Sequence, residues 1–145
     1  MKFLKLDHIG VVVNDMAAAK AFFLDFGLEL LGESEMEGKW LDKLVGLEGV
    51  RSGIAVFRAP NGDANLELIK YYSPEDENGI RPNYPNNYGI RNICFEVDDV
   101  EAIFARLKEK GMPQLGEIQQ YEDEYKLCYC RGPEGIILMV AQKLK

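Results

Sequence analysis

The chain of 145 residues holds a single histidine, His8, in the stretch DHIGVVVND. An imidazole on a short β-branched strand is either a structural residue with its hydrogen bonds satisfied, or a metal ligand or proton carrier. Glu67 is a second candidate, because it stands between Leu66 and Leu68, and a carboxylate among strand apolars needs solvent or a partner. A third follows from repetition. Residues 91–99 read RNICFEVDD, the form of the first stretch again, with Asn92 where the first has His8. The chemistry of the two stretches therefore differs: one offers an imidazole, the other a neutral carboxamide.

The elements that must carry these residues come in two copies. Residues 6–33 lie without gaps on residues 90–117, with nine of twenty-eight positions identical, which marks an internal duplication. Each copy opens with a strand, HIGVVV or ICFEV, closed by acidic turn residues. A helix follows, capped by Asn14 or Asp15 in the first copy and begun by a capping-box-like Asp98 and Glu101 in the second. Gly27 and Gly111 supply the left-handed stops. LELLGE and QLGE are expected to lead away as strands. RSGIAVFRAPNGDANLELIK and YKLCYCRGPEGIILMVAQ each read as strand, turn, strand. Each copy is thus β-α-β-β-β, the first over residues 1–72 and the second over 89–145. Residues 73–88, rich in Pro and Asn, read as a polar linker within a single domain spanning 1–145. The fold class is α+β, with mostly antiparallel strands.

The first copy is longer, chiefly over residues 34–50, which contain Trp40, the sole tryptophan. This excursion reads as a lid with Trp40 or Leu41 touching a ligand, or as a packed surface segment. YEDEYK, residues 121–126, reads as a charged turn.

Composition narrows the field. Hydrophobic residues make up 47% and charged residues 28%, as in soluble globular proteins. A net charge of −7 argues against nucleic acid and anionic membrane as partners. No apolar run approaches a membrane span, and the N-terminus lacks the form of a signal peptide, so a cytoplasmic location is expected. Three cysteines without C-x-x-C spacing suggest neither a disulfide framework nor a thiolate zinc site. Cys128 and Cys130 share one strand face and read as small apolar residues.

A duplicated βαβββ unit opening with LDHIGVVV, with FEVDDVEA and GPEG in its second copy, resembles the vicinal oxygen chelate superfamily. That superfamily includes glyoxalase I, methylmalonyl-CoA epimerase, extradiol dioxygenases and bleomycin-resistance proteins. The resemblance implies tandem βαβββ modules forming a cupped eight-stranded sheet with helices on its outer face. It also implies a divalent ion (Ni, Zn, Mn, Co or Fe) held by four positions, which here are His8, Glu67, Asn92 and Met139. Strand alternation agrees, since each faces away from its apolar neighbours. In the second copy, Asn92 and Met139 stand where the superfamily commonly has His or Gln and Glu. Asn92 is a weak hard donor, and Met139 is a soft thioether suited to Cu(I) and a poor partner for Mg, Mn, Ni or Zn, which reads otherwise as core or pocket wall. Cys94 shares Asn92's face about 7 Å along the strand.

Two functions follow as expectations. One is glyoxalase-type lyase or isomerase chemistry on a small organic molecule. Here His8 and Glu67 bind a weak divalent ion, Asn92 assists, and Glu67 as catalytic base, or a group of the substrate, handles the proton. The other is metal-free small-molecule binding, as in resistance proteins. A third, an interaction module without a pocket, stays open because a fold hosts many functions. Met139, Cys94, Trp40, Arg91 and Tyr129 are the expected pocket residues, with Tyr71, Tyr72, Lys126 and Arg131 as further wall candidates. A cation among them would suit a carboxylate or phosphate. The resemblance also implies a homodimer.

Overall fold

A computed structural model describes residues 1–145. It contains eight strands and three α-helices in two compact units, Met1–Ile80 and Arg81–Lys145. The eight strands divide equally between two mixed four-stranded sheets, so the fold is α+β with the expected tandem βαβββ order.

In the first unit, β1 (His8–Val12) leads into α1 (Met16–Phe26), β2 (Glu29–Glu37), α2 (Lys39–Val45), β3 (Arg51–Arg58) and β4 (Asn65–Ser73). The sheet order is β1-β4-β3-β2, with β1 parallel to β4 and the other pairs antiparallel. α1 starts where the Asp15 carboxylate accepts from the Ala18 amide at 3.0 Å, satisfying one of the amides a helix start leaves open. It stops at Gly27, whose φ of 115° is left-handed backbone that a Cβ would strain. Ala19, Phe22 and Phe23 of α1 are buried. Phe23 meets Phe57 of β3 at a ring separation of 6.3 Å. Lys20 of α1 pairs with Glu33 of β2.

The second unit repeats the plan: β5 (Asn92–Glu96), α3 (Val100–Glu109), β6 (Gln119–Tyr121), β7 (Tyr125–Arg131) and β8 (Ile137–Lys143), in sheet order β5-β8-β7-β6. Val100 and Leu107 bury one side of α3. Two sequence expectations need correction here. The cap of α3 is Asp99, which accepts from the Ala102 amide at 3.0 Å, so the helix begins one residue later than a start at Asp98 implies. QLGE is not a strand either. Only Gln114 bridges, to Cys130, and β6 begins at Gln119. YEDEYK does form the turn of the β6–β7 hairpin.

The registers show how far the duplication extends. His8 lies opposite Asn65 and Gly10 opposite Glu67, while Asn92 lies opposite Ile137 and Cys94 opposite Met139. Asn92 and Met139 therefore hold, within the second sheet, the ladder positions that His8 and Glu67 hold within the first. Leu66, Leu68, Leu138 and Val140 are buried. The residues between them, Glu67 and Met139, point to the opposite face by strand alternation.

Candidate functional site

β1 and β4 bring together residues 59 positions apart in the chain. Nε2 of His8 lies 3.5 Å from Oε2 of Glu67. The Glu67 side chain is 20% exposed and that of His8 is 44% exposed, so the pair is open to a ligand without being fully solvated. Gly10, opposite Glu67 on β1, adds no side chain beside the carboxylate. A Cβ there would stand 3.3 Å from Cδ1 of Ile69.

The other ring nitrogen is also held. Nδ1 of His8 lies 2.7 Å from Oδ2 of Asp7, a hydrogen bond that assigns the ring proton to Nδ1 and leaves Nε2 with a free lone pair in the neutral form. The same hydrogen bond raises the His8 pKa above its ordinary 6.5. Partial burial opposes the rise, and the charges of Glu67 and Asp7 add to it. Asp7 moves the other way, below its ordinary 3.8, mainly through this bond. The reading of the sequence missed Asp7. The signal available was its place immediately before the only histidine.

A carboxylate on one ring nitrogen and a free lone pair on the other is the arrangement that orients a metal-ligating histidine. With bonds of about 2.0–2.2 Å from nitrogen and oxygen, a tetrahedral ion spans donors about 3.4 Å apart. The 3.5 Å separation of His8 and Glu67 matches that span. Two donors thus fit one ion, whereas a catalytic site of this kind takes three protein ligands and an open position. Nowhere does the chain gather three His, Cys, Asp or Glu side chains as a ready metal cage.

In the second unit, Asn92 and Cys94 are exposed on β5, and Met139 and Tyr129 are half-buried. Cys94, Met139 and Tyr129 lie side by side across β5, β8 and β7. Burial, with the Glu96 charge, raises the Cys94 thiol pKa, which disfavours the thiolate a metal needs. Cys128 and Cys130 are buried on the opposite face. Burial pushes Cys130 up to about 12, in keeping with small apolar strand residues. Arg91, half-buried, donates from Nη1 to Oδ1 of Asn83 at 2.6 Å. Lys126 is not a wall residue of the Met139 face: its amine sits 2.7 Å from Glu101 of α3, on the helix side.

The excursion over 34–50 contributes the end of β2 and the short helix α2, which no periodicity announces. Leu41 is its buried anchor, and Asp42 accepts from the amides of Gly49 and Val50 at 3.0 and 2.8 Å. Trp40 is 56% exposed. A cavity of about 360 Å³ lies beside this segment, lined by Glu35, Met36, Glu37, Arg51, Ser52 and Tyr72. It is at the far end of the first sheet, because Tyr72 is five residues beyond Glu67 along β4.

Comparison with known proteins places this geometry in a wider setting. Residues 5–140 match the family model of the Glyoxalase/Bleomycin resistance protein/Dioxygenase superfamily. The protein YaeR of Escherichia coli (strain K12) is 30% identical over 138 residues, covering 92% of each chain. A glyoxalase family protein from Bacillus cereus superposes with a TM-score of 0.91 at 33% identity, over 100% of this chain and 97% of that one. TnmS3, an antibiotic binding protein from Streptomyces sp. CB03234, shares the fold at a TM-score of 0.62 and 19% identity, over 99% of this chain and 98% of that one.

Proposed function

The chain belongs to the glyoxalase/bleomycin resistance protein/dioxygenase superfamily, and from that premise we propose that it binds a small organic molecule at the Asp7–His8–Glu67 site. His8 and Glu67 would hold a divalent ion there weakly, as two donors at the span of one ion. The single observation that carries this reading is the 3.5 Å approach of Nε2 of His8 to Oε2 of Glu67, with Nδ1 already tied to Asp7. When bound, the ion would polarise a ligand oxygen. Glu67 is the chain's own proton acceptor at this site, with its side chain 20% exposed and so partly shielded from water. Asp7 holds the imidazole ring in place. Asn92, at the His8 position of the second sheet, is proposed as a ligand contact of the second module, and Trp40 as an apolar contact at the end of the first sheet away from Glu67.

A second reading, metal-free binding of a small molecule, is favoured by the register itself. The second module offers a carboxamide and a thioether where the first offers an imidazole and a carboxylate, and those groups suit ligand contact better than ion binding. Both readings take residues 1–72 and 89–145 as the modules, 73–88 as their linker, and a cytoplasmic homodimer as the working form. No helix is long and apolar enough to cross a membrane.

Calorimetric titration of the metal-free protein with zinc, nickel, manganese and cobalt separates the two. The first reading expects saturable uptake of at least one ion, lost in His8→Ala and in Glu67→Gln. An ion affinity indifferent to both substitutions would refute it and leave metal-free binding.

A further inference from the structure

The duplication allows each site residue in one module to be compared with its ladder counterpart in the other. In the first sheet, Arg58 lies opposite Asn65, which lies opposite His8. In the second, Arg131 lies opposite Ile137, which lies opposite Asn92. Arg58 and Arg131 are therefore the same position of the repeat. Their surroundings differ. Arg58 is neutralised by Glu29, with Nε 2.9 Å from Oε2. The counterpart of Glu29 is Pro113, because Gln114 bridges Cys130 as Leu30 pairs with Phe57, and Pro113 carries no charge.

Arg131 is held instead by neutral groups. Its Nη1 donates to the Gly135 carbonyl at 3.1 Å, and its guanidinium lies 5.8 Å over the Tyr84 ring. A second reversal adjoins it. The counterpart of Asp7 is Arg91, half-buried, bonded through Nη1 to neutral Asn83, and with Nε buried and lacking any hydrogen-bond partner. Both guanidiniums thus meet the consecutive residues Asn83 and Tyr84. At these positions the first module sets Asp7, Glu29 and Glu67 against Arg58, whereas the second sets Arg91 and Arg131 against no carboxylate. A half-buried guanidinium without a counter-charge is unfavourable, the more notable in a chain of net charge −7.

We infer that the second module carries an oxyanion site, formed by Arg131 with Arg91, that receives the phosphate or carboxylate group of a small molecule. Guanidinium donors suit either group, since both present paired oxygens to the planar fork. Divergence after duplication has split the two copies. One keeps the acidic end with the histidine, and the other has become a receptor for negative charge. The site is built within the second compact unit, Arg81–Lys145, so it stands or falls separately from metal binding at His8 and Glu67.

The test titrates the full chain with inorganic phosphate and, separately, with acetate, following backbone amide shifts of residues 83–92 and 131–136 by NMR. Saturable shifts are expected for at least one anion, and the tighter of the two names the group. Arg131→Gln should weaken binding about tenfold or more, the scale of a charge-assisted hydrogen bond, and Arg131→Lys should weaken it less. Arg58→Gln, the same change in the first module, should leave it unaltered. Pro113→Glu restores the missing carboxylate and should abolish anion binding while leaving zinc titration as in wild type. The inference is overturned if neither anion binds, or if Arg58→Gln weakens binding as much as Arg131→Gln. Unchanged binding in a folded Arg131→Gln protein, checked by its amide spectrum, overturns it equally.

Discussion

Two neighbouring residues on the inner strands of the first sheet should respond to substitution in opposite ways. Phe57 of β3 is fully buried and lies opposite Leu66, with its ring 6.3 Å from that of Phe23 on α1. Glu67, the next residue after Leu66, projects to the other face towards His8. Phe57→Ala removes a ring from the contact that seats α1 on the sheet. Phe23 is itself fully buried and meets Phe22 edge-on at 5.1 Å, so the space cannot easily close. The expected loss is about 3–5 kcal/mol, a large part of the stability of a domain this size. With a urea m-value of about 2 kcal/mol/M, the midpoint falls by about 2 M. Glu67→Gln removes a partly exposed charge pair and should cost under about 1 kcal/mol. Urea unfolding followed by circular dichroism gives the two stabilities, and calorimetric metal titration of the folded proteins gives the two affinities. Phe57→Ala should retain binding while losing stability, and Glu67→Gln should do the reverse. A loss below about 1.5 kcal/mol for Phe57→Ala, or one larger for Glu67→Gln than for Phe57→Ala, would refute the assignment of the two faces.

Because His8 is the only histidine, its ring proton resonance can be followed by NMR without assignment work. It should titrate above 6.5 in wild type and fall in Asp7→Asn, because the Asp7 hydrogen bond is the main cause of the raised pKa. The linkage has a definite sign. From the His8 side, the pair's stabilisation is full below the unfolded value of 6.5 and is lost as pH rises through the raised folded value. From the Asp7 side, it is full above 3.8 and is lost as pH falls through the lowered value. The stability difference between wild type and Asp7→Asn should therefore be greatest between 3.8 and 6.5, and a difference that grows towards alkaline pH would contradict the pairing. Asp15→Ala and Asp99→Ala, equivalent caps in the two modules, should each cost about 1 kcal/mol in urea unfolding; a neutral result at either would deny its capping role. Asn92→His combined with Met139→Glu places an imidazole and a carboxylate at the ladder positions of His8 and Glu67, and should raise zinc affinity by calorimetry. Affinity equal to wild type would count against the equivalence of the two registers.

Much of the fold was legible because its signals are local. Strand, acidic turn and helix recur in DHIGVVVND and RNICFEVDD, and Gly27 and Gly111 take the left-handed conformation that their positions after a helix demand. Where local signals were weak, the reading failed. α2 has seven residues, below the length at which a helix is stable by itself, and depends on Leu41 burial and the Asp42 clamp. QLGE bridges only through Gln114, and the ladder resumes at Gln119, a displacement that its local residues do not announce.

The sequence by itself determined the duplication and the order of the elements, because residue spacing and strand alternation are properties of a short stretch of chain; the resemblance it carries implied the positions His8, Glu67, Asn92 and Met139, and alternation agrees with them. Only the tertiary structure decided which charges are paired. That His8 reaches Glu67, that Arg58 has Glu29 and that Arg131 has no such partner depend on ladder register between strands far apart in sequence, and a register is set by the burial of whole sheet faces. For this protein the chemistry therefore rests on long-range pairing, while the fold is written in local pattern.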